Sequence, residues 1–184
     1  LAPENPYPAA VEDAMKACGI ANEHWQRIHN VVDDFFYHPI APLTITPKGD
    51  KFRFLHVSCF DEKAKNVQGM LRAIRRLADK RQDFECIIVG TGVDRAQAMS
   101  YARELVFPHS MVTFTGEQTP HEVAQWMRES DCFVLFSNYE NAPVVLSECL
   151  ATGLPIISSR AGGIPEMVTE QDGILVNTQN EHQL

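Results

Sequence analysis

The run Asp131-Cys-Phe-Val-Leu-Phe-Ser-Asn-Tyr-Glu-Asn-Ala-Pro-Val-Val-Leu-Ser-Glu-Cys-Leu-Ala-Thr-Gly-Leu-Pro-Ile-Ile-Ser158 decides the fold. An unbroken apolar stretch, Cys132–Phe136, reads as a strand. A polar loop follows, then a helix over Pro143–Thr152 that Gly153 stops, and a second apolar strand over Pro155–Ser158. Neither strand alternates polar and apolar residues, so both are expected to be covered on two faces, as in a parallel sheet.

The same rhythm extends outward in both directions. Phe52–Ser58, Phe84–Val89, Met111–Phe114 and Ile174–Val176 also read as strands. In Asn66–Asp79, Val67, Met70, Leu71, Ile74 and Leu77 recur at helical spacing with arginines opposite. In Thr119–Glu129, Thr119 is an N-cap, Pro120 takes the first helical position and Glu122 the capping-box position. Strands alternating with helices imply right-handed crossovers and an α/β, doubly wound, Rossmann-like parallel sheet over residues 51–184. Ligands in such sheets bind beyond the carboxyl ends of the strands. The loops to inspect are therefore Ser58–Lys65, Gly90–Asp94, Thr115–Thr119, Ser137–Ala142 and Ser159–Pro165. Residues 1–50, rich in proline and with one helix-like stretch near Ala9–Cys18, read as a linker and the remnant of a neighbouring domain. The chain begins with Leu1 and stops just after a strand-like run, so both ends read as cuts in a longer protein.

Composition excludes several classes. A net charge of −8 over 184 residues opposes general nucleic-acid binding, which needs a basic footprint. It does not oppose an anionic small ligand, because one lysine and a few backbone N–H groups suffice for a phosphate. Cys86 and Cys132 sit in apolar runs, and no two of the five cysteines form a CxxC pair, so they read as reduced core residues of a cytosolic protein. The seven histidines form neither HExxH nor HxxxH, and no structural metal is expected. No apolar run reaches the length of a membrane span, and no stretch reads as a signal peptide.

The polar loop before the Pro143 helix carries the chemistry. With the N-cap on Ala142, the N–H groups of Val144 and Val145 lack a side-chain partner, and the positive helix end becomes an anion site. Water or the Asn141 side chain is the alternative partner. Glu148 is the only charged residue of that helix. A helix so apolar is expected to be largely buried, and its lone carboxylate needs a partner. Vicinal ribose hydroxyls suit it, and capping of a neighbouring loop is the structural alternative. Glu140 lies eight positions earlier, about two helical turns away, so the two carboxylates are placed to hold opposite ends of one extended ligand.

These residues give the resemblance. Glu140 and Glu148 form the E-x7-E pattern of retaining GT-B glycosyltransferases, family 4 in particular. Leu150-Ala-Thr-Gly-Leu-Pro-Ile-Ile157 resembles that family's A-x-G-x-P-V-V stretch, and Ala161-Gly-Gly-Ile-Pro-Glu-Met-Val168 its G-G-x-P-E signature. Lys65-Asn66 matches the K-N/G position, and His29-Asn-Val-Val-Asp33 is similar to the P-N-x-V-D stretch leading in from the N-terminal domain.

The resemblance implies a donor-binding domain that transfers a sugar, with retention, from a nucleoside diphosphate sugar to a glycan or lipid-linked glycan. It implies no cofactor and no bound metal. The acceptor would be held by the N-terminal domain, so the fragment alone is expected to fold but not to turn over. The protein is placed in the cytoplasm, with that absent domain as a route to the inner face of a membrane. Lys65 would hold the diphosphate with the N–H groups of Val144 and Val145, Glu140 would contact the sugar, and Glu148 the ribose. Asn141, Ala142, Gly162 and Gly163 would surround the donor, and backbone around Val112–Thr115, including Phe114, would meet the base. The cleft surface around Glu140, Ala142, Gly162 and Gly163 is expected to be open to solvent.

Two departures stand out. The family's V-G-R-L stretch reads Val57-Ser-Cys-Phe60, so Cys59 stands where an arginine phosphate ligand is usual and Lys63 becomes its candidate substitute. The glycine-rich E-G-F-G loop reads Glu140-Asn-Ala-Pro143, and Pro143 cannot donate an N–H. A non-catalytic nucleotide-sugar-binding module is one alternative. A nicotinamide oxidoreductase is another, from Gly90-Thr-Gly-Val-Asp-Arg-Ala96, which follows a strand as a dinucleotide fingerprint does. Its third glycine position holds Arg95, and a tight turn below the nucleotide site is the other reading.

Overall fold

The computed structural model describes residues 15–20, 30–37, 49–108 and 110–184. Six strands form one sheet: β1 (Phe52–Val57), β2 (Phe84–Val89), β3 (Val112–Gly116), β4 (Cys132–Leu135), β5 (Ile156–Ser159) and β6 (Gly173–Val176). Their order is β3-β2-β1-β4-β5-β6, and every pairing is parallel. The expected α/β doubly wound sheet is the one observed, with strand ends shifted by a residue or two.

The connections are helical. They are α2 (Glu62–Lys65) with α3 (Val67–Ala78), then α4 (Arg95–Glu104), α5 (Pro120–Arg128), α6 (Val144–Thr152) and α7 (Ile164–Met167). A further turn, α1 (Asp34–Tyr37), precedes β1. The α5 start is built as its sequence demands: Thr119 Oγ1 accepts from the Glu122 N–H, and Glu122 Oε2 accepts from the Thr119 N–H at 2.7 Å. At the other end of α6, Gly153 adopts φ +71°, a left-handed stop that a side chain would resist.

Both sheet faces are covered, which is why the strands lack polar alternation. Cys86, Ile88, Val134 and Phe136 pack with Met70, Leu71 and Ile74 of α3 and Ala98 of α4. Leu55, Ile87, Phe133 and Leu135 pack with Val123 and Met127 of α5, Leu146 and Cys149 of α6, and Ile164 of α7. Each large apolar side chain so buried contributes about 1.5–3 kcal/mol. Cys86 and Cys132 are buried as expected, and burial pushes their thiols up to about 12 and about 11.

The described part of the segment before β1 packs on the sheet domain. Phe36 of α1 is buried in the second of these cores, the Phe35 ring stacks on His121 at 4.0 Å, and the Phe35 carbonyl accepts from Arg128 Nη1 at 2.8 Å. Of the helix expected near Ala9–Cys18, residues 15–17 are helical, and the rest lies outside the described residues. No described helix is long and apolar enough to cross a membrane.

Candidate functional site

The strand order reverses between β1 and β4, which are neighbours although β2 and β3 lie between them in sequence. Their carboxyl ends splay the following loops apart and leave a crevice. A cleft of about 380 Å³ lies there, lined by Val57, Ser58, Cys59, Lys65, Leu135, Glu140, Pro143, Val144, Val145 and Glu148, with Gln118, Pro120 and Val123 on its far wall.

Lys65 reaches the cleft from a single helical turn. Asp61 Oδ1 caps α2 by accepting from the Ala64 N–H at 3.2 Å. Asn66 ends the turn at φ +49°, a conformation asparagine tolerates, and α3 restarts at once. Lys65, the last residue of α2, places Nζ 2.6 Å from Glu140 Oε1. Glu140 is 7% exposed and Lys65 17%, so the pair is weakly screened by water. Ser137 Oγ donates to the same Oε1 at 2.7 Å. Glu140 Oε2 makes no hydrogen bond with any described residue, so one acceptor atom remains for a ligand.

The loop carrying Glu140 is held on two sides. The Asn138 and Tyr139 N–H groups donate to the Ala64 carbonyl, and Asn138 Nδ2 donates to the Lys63 carbonyl. On the other side the Gly163 N–H donates to the Asn141 carbonyl. Gly162, at φ +51°, lies so close that an added Cβ would stand 1.6 Å from the Glu140 carbonyl oxygen. The expectation of an open surface here is therefore corrected. Glu140 and Gly163 are buried, because the β5–α7 loop packs directly on the Glu140 backbone, and Gly162 alone of that pair is exposed.

The start of α6 also differs in detail. The N-cap is Pro143, one residue later than expected, and it has no side-chain cap hydrogen bond. Proline has no side-chain acceptor, so the N–H groups of Val144 and Val145, two residues that line the cleft, still open the helix without a capping side chain. The helix is less buried than its apolar sequence implies. Leu146 and Cys149 are buried, while Val144 is 43% and Leu150 37% exposed, because only one face packs against the sheet. Glu148 is half-buried, and its carboxylate makes no hydrogen bond or ion pair with any described residue. Burial first, and the Asp33 carboxylate second, raise its pKa from the ordinary glutamate value.

Beneath the cleft floor, His56 is fully buried, with Nδ1 2.9 Å from the Val134 carbonyl oxygen and Nε2 2.7 Å from Ser58 Oγ. Burial, the largest cause, lowers its pKa to about 4. Gly90 and Gly92 explain the G-T-G turn. An added Cβ would stand 2.0 Å from the Ser58 carbonyl oxygen at Gly90 and 2.4 Å from the Phe60 nitrogen at Gly92. The turn is the close support of residues 58–60, with the Phe60 N–H donating to the Thr91 carbonyl at 2.8 Å.

The structure thus brings Lys65, Glu140, Glu148, Val144, Val145 and Cys59 to one cleft. Asn141 and Ala142 flank it, and Asn30 Nδ2 donates to the Ala142 carbonyl at 3.3 Å. Lys63 is exposed and does not line the cleft. Val112 and Phe114, on the edge strand β3, line a separate depression with Phe107 and Met111. Ser58, His56 and Ser137 were not expected from sequence, because a serine or histidine at a strand end carries no motif of its own. Among the described residues, no group of three or more His, Cys, Asp or Glu could hold a metal ion.

A parallel sheet of this order with a switch-point cleft is a Rossmann-like doubly wound domain. The comparisons narrow the class: the family model described as glycosyl transferases group 1 matches residues 44–184, and the chain belongs to that family. It is 29% identical over 156 residues to N-acetyl-alpha-D-glucosaminyl L-malate synthase of Bacillus anthracis, an alignment covering 82% of this chain and 39% of that protein. The structure of Anabaena HepE in complex with UDP and glucose superposes with a TM-score of 0.75 at 20% identity, covering 95% of this chain and 49% of that one. Sucrose-phosphate synthase from Thermosynechococcus elongatus also gives 0.75, at 21% identity, over 96% of this chain and 45% of that one. The chain therefore spans less than half the length of each.

Proposed function

We propose that this chain is the donor-binding part of a glycosyltransferase that moves a sugar from a nucleoside diphosphate sugar to a glycan or lipid-linked glycan acceptor, working in the cytoplasm without a divalent metal. One observation carries the reading: the Lys65–Glu140 pair shares a cleft with the uncapped start of α6 and with Glu148, whose carboxylate has no partner among the described residues.

These groups match the parts of such a donor in order. Glu148 accepts from the ribose hydroxyls. The Val144 and Val145 N–H groups and Lys65 receive the diphosphate. Glu140 Oε2 accepts from a hydroxyl of the sugar, while Oε1 keeps Lys65 in place. As the bond from the anomeric carbon to the diphosphate oxygen breaks, negative charge grows on that oxygen. Fixed donors aimed at such charge contribute roughly 2.7–4 kcal/mol each. The acceptor oxygen then bonds to the anomeric carbon, and its proton passes to the departing diphosphate oxygen. Retention at that carbon follows the family resemblance. The remaining length of the relatives supplies room for an acceptor domain, and the HepE complex, with UDP and glucose, supports the ligand class.

The test is release of nucleoside diphosphate by the intact protein from UDP-glucose, GDP-mannose and related donors in the presence of chelator and acceptor oligosaccharides. Glu140→Gln is expected to slow release at least about tenfold. Absence of release from every donor, or release only after adding a divalent metal, would sink the proposal.

A further inference from the structure

The relay under the cleft fixes the polarity of one corner of it. A carbonyl oxygen only accepts, so His56 Nδ1, 2.9 Å from the Val134 carbonyl, carries the ring proton. The ring is neutral near neutral pH, since burial holds its pKa at about 4, and Nε2 then presents a lone pair. Ser58 Oγ lies 2.7 Å from that nitrogen, so the hydroxyl proton points inward to His56. The cleft therefore meets only the oxygen lone pairs of Ser58. An oxygen of this kind accepts from a hydroxyl and repels a phosphate oxygen.

The adjoining position changes in the same sense. Val57-Ser58-Cys59-Phe60 stands where the family resemblance has V-G-R-L. This chain thus adds an acceptor where glycine has no side chain and removes a cation where arginine would bind phosphate. Both residues line the cleft, and the backbone on either side of Cys59 is held by Gly90 packing on Ser58 and Gly92 on Phe60.

We propose that Ser58, oriented by His56, is a hydroxyl-recognising subsite, and that the diphosphate lies away from this corner, against Lys65 and the start of α6. The inference deepens the donor-binding reading and rests on it. The recognised hydroxyl belongs to the ribose or to the transferred sugar, and the ligands tested separate the two.

Calorimetric titrations of the intact protein in chelator, with UDP, UDP-glucose, GDP and GDP-mannose, test the subsite. Ser58→Ala is expected to weaken binding about five- to tenfold, the loss of one hydrogen bond, with a lowered melting temperature because His56 Nε2 loses its buried partner. Ser58→Thr, which keeps the hydroxyl, is expected to retain affinity. A loss shared by the nucleoside diphosphate and its sugar places the hydroxyl on the ribose. A loss confined to the sugar nucleotide places it on the sugar. Unchanged or tighter binding of every ligand by Ser58→Ala overturns the subsite while leaving the donor-binding reading intact. Equal loss in Ser58→Thr with a lowered melting temperature also overturns it, by making Ser58 a packing residue. If the wild-type protein binds none of the four, the donor-binding reading fails first and the subsite falls with it.

Discussion

Arg53, at the amino end of β1, and Glu148, beyond the carboxyl ends of the strands, are both charged groups withdrawn from water, and they differ in company. Arg53 is 1% exposed. Its Nε donates to Glu85 Oε1 at 2.6 Å, its backbone N–H donates to Asp131 Oδ2 at 2.8 Å, and its guanidinium lies 5.4 Å from the centre of the Trp126 ring. Glu148 has no such partner among the described residues, and α6 above it starts without a side-chain cap. One end of the sheet pairs its buried charge within the protein. The other leaves an acceptor pair, a row of donors and a half-engaged Glu140 facing a cleft. Buried polarity that is matched serves stability, and buried polarity that is left open is a binding surface in waiting.

Breaking the closed end should have the largest effect. Arg53→Met strands the Glu85 carboxylate, and removing one partner of a buried pair costs about 3–5 kcal/mol. Urea unfolding should show that loss, while affinity for a nucleoside diphosphate stays at the wild-type value. A matching fall in affinity at low urea would erase the distinction between the two ends.

Glu148→Gln should sharpen it, because its two effects have opposite signs. The folded-state pKa of Glu148 is raised, so its ionised form destabilises the fold at any pH above that value. Replacing it should raise the melting temperature of the ligand-free protein near neutral pH. The gain should fade as the pH falls through the raised value and vanish below the ordinary carboxylate range, where both states are protonated. Affinity should meanwhile drop by about 1–3 kcal/mol, roughly five- to hundredfold, with the loss of a charged acceptor. Scanning calorimetry over a pH series, paired with ligand titrations, reads both. A variant that is less stable and binds as well as wild type would make Glu148 a structural residue.

The sheet and its helices were legible because their signals are local. Uninterrupted apolar runs marked strands covered on both faces, and Thr119, Pro120 and Glu122 marked the start of α5 as it is built. The two glutamates and Lys65 were legible through their motif spacing. Their direct pairing was not, since Lys65 and Glu140 lie 75 residues apart and meet only because β1 and β4 are neighbours in the sheet. The burial of Glu140 was missed for a similar reason: it depends on Gly162, from another loop, packing on its backbone. The His56–Ser58 relay spans only two residues, yet it escaped notice because its meaning depends on a carbonyl of the next strand. The partial exposure of α6 shows the converse error. An apolar composition predicts burial, but a helix at a cleft edge packs one face and leaves the other free.

The central claim is that the open polarity at the carboxyl end of the sheet, led by Lys65, binds a nucleoside diphosphate. The direct measurement is a calorimetric titration of UDP and GDP into the wild-type protein and Lys65→Met, in chelator, at increasing salt. The account predicts metal-free binding that weakens as salt screens the Lys65 charge and that falls at least about tenfold in Lys65→Met, as loss of a charge-assisted contact requires. Binding that appears only with Mg²⁺ or Mn²⁺, or that is as tight in Lys65→Met as in wild type, would contradict it.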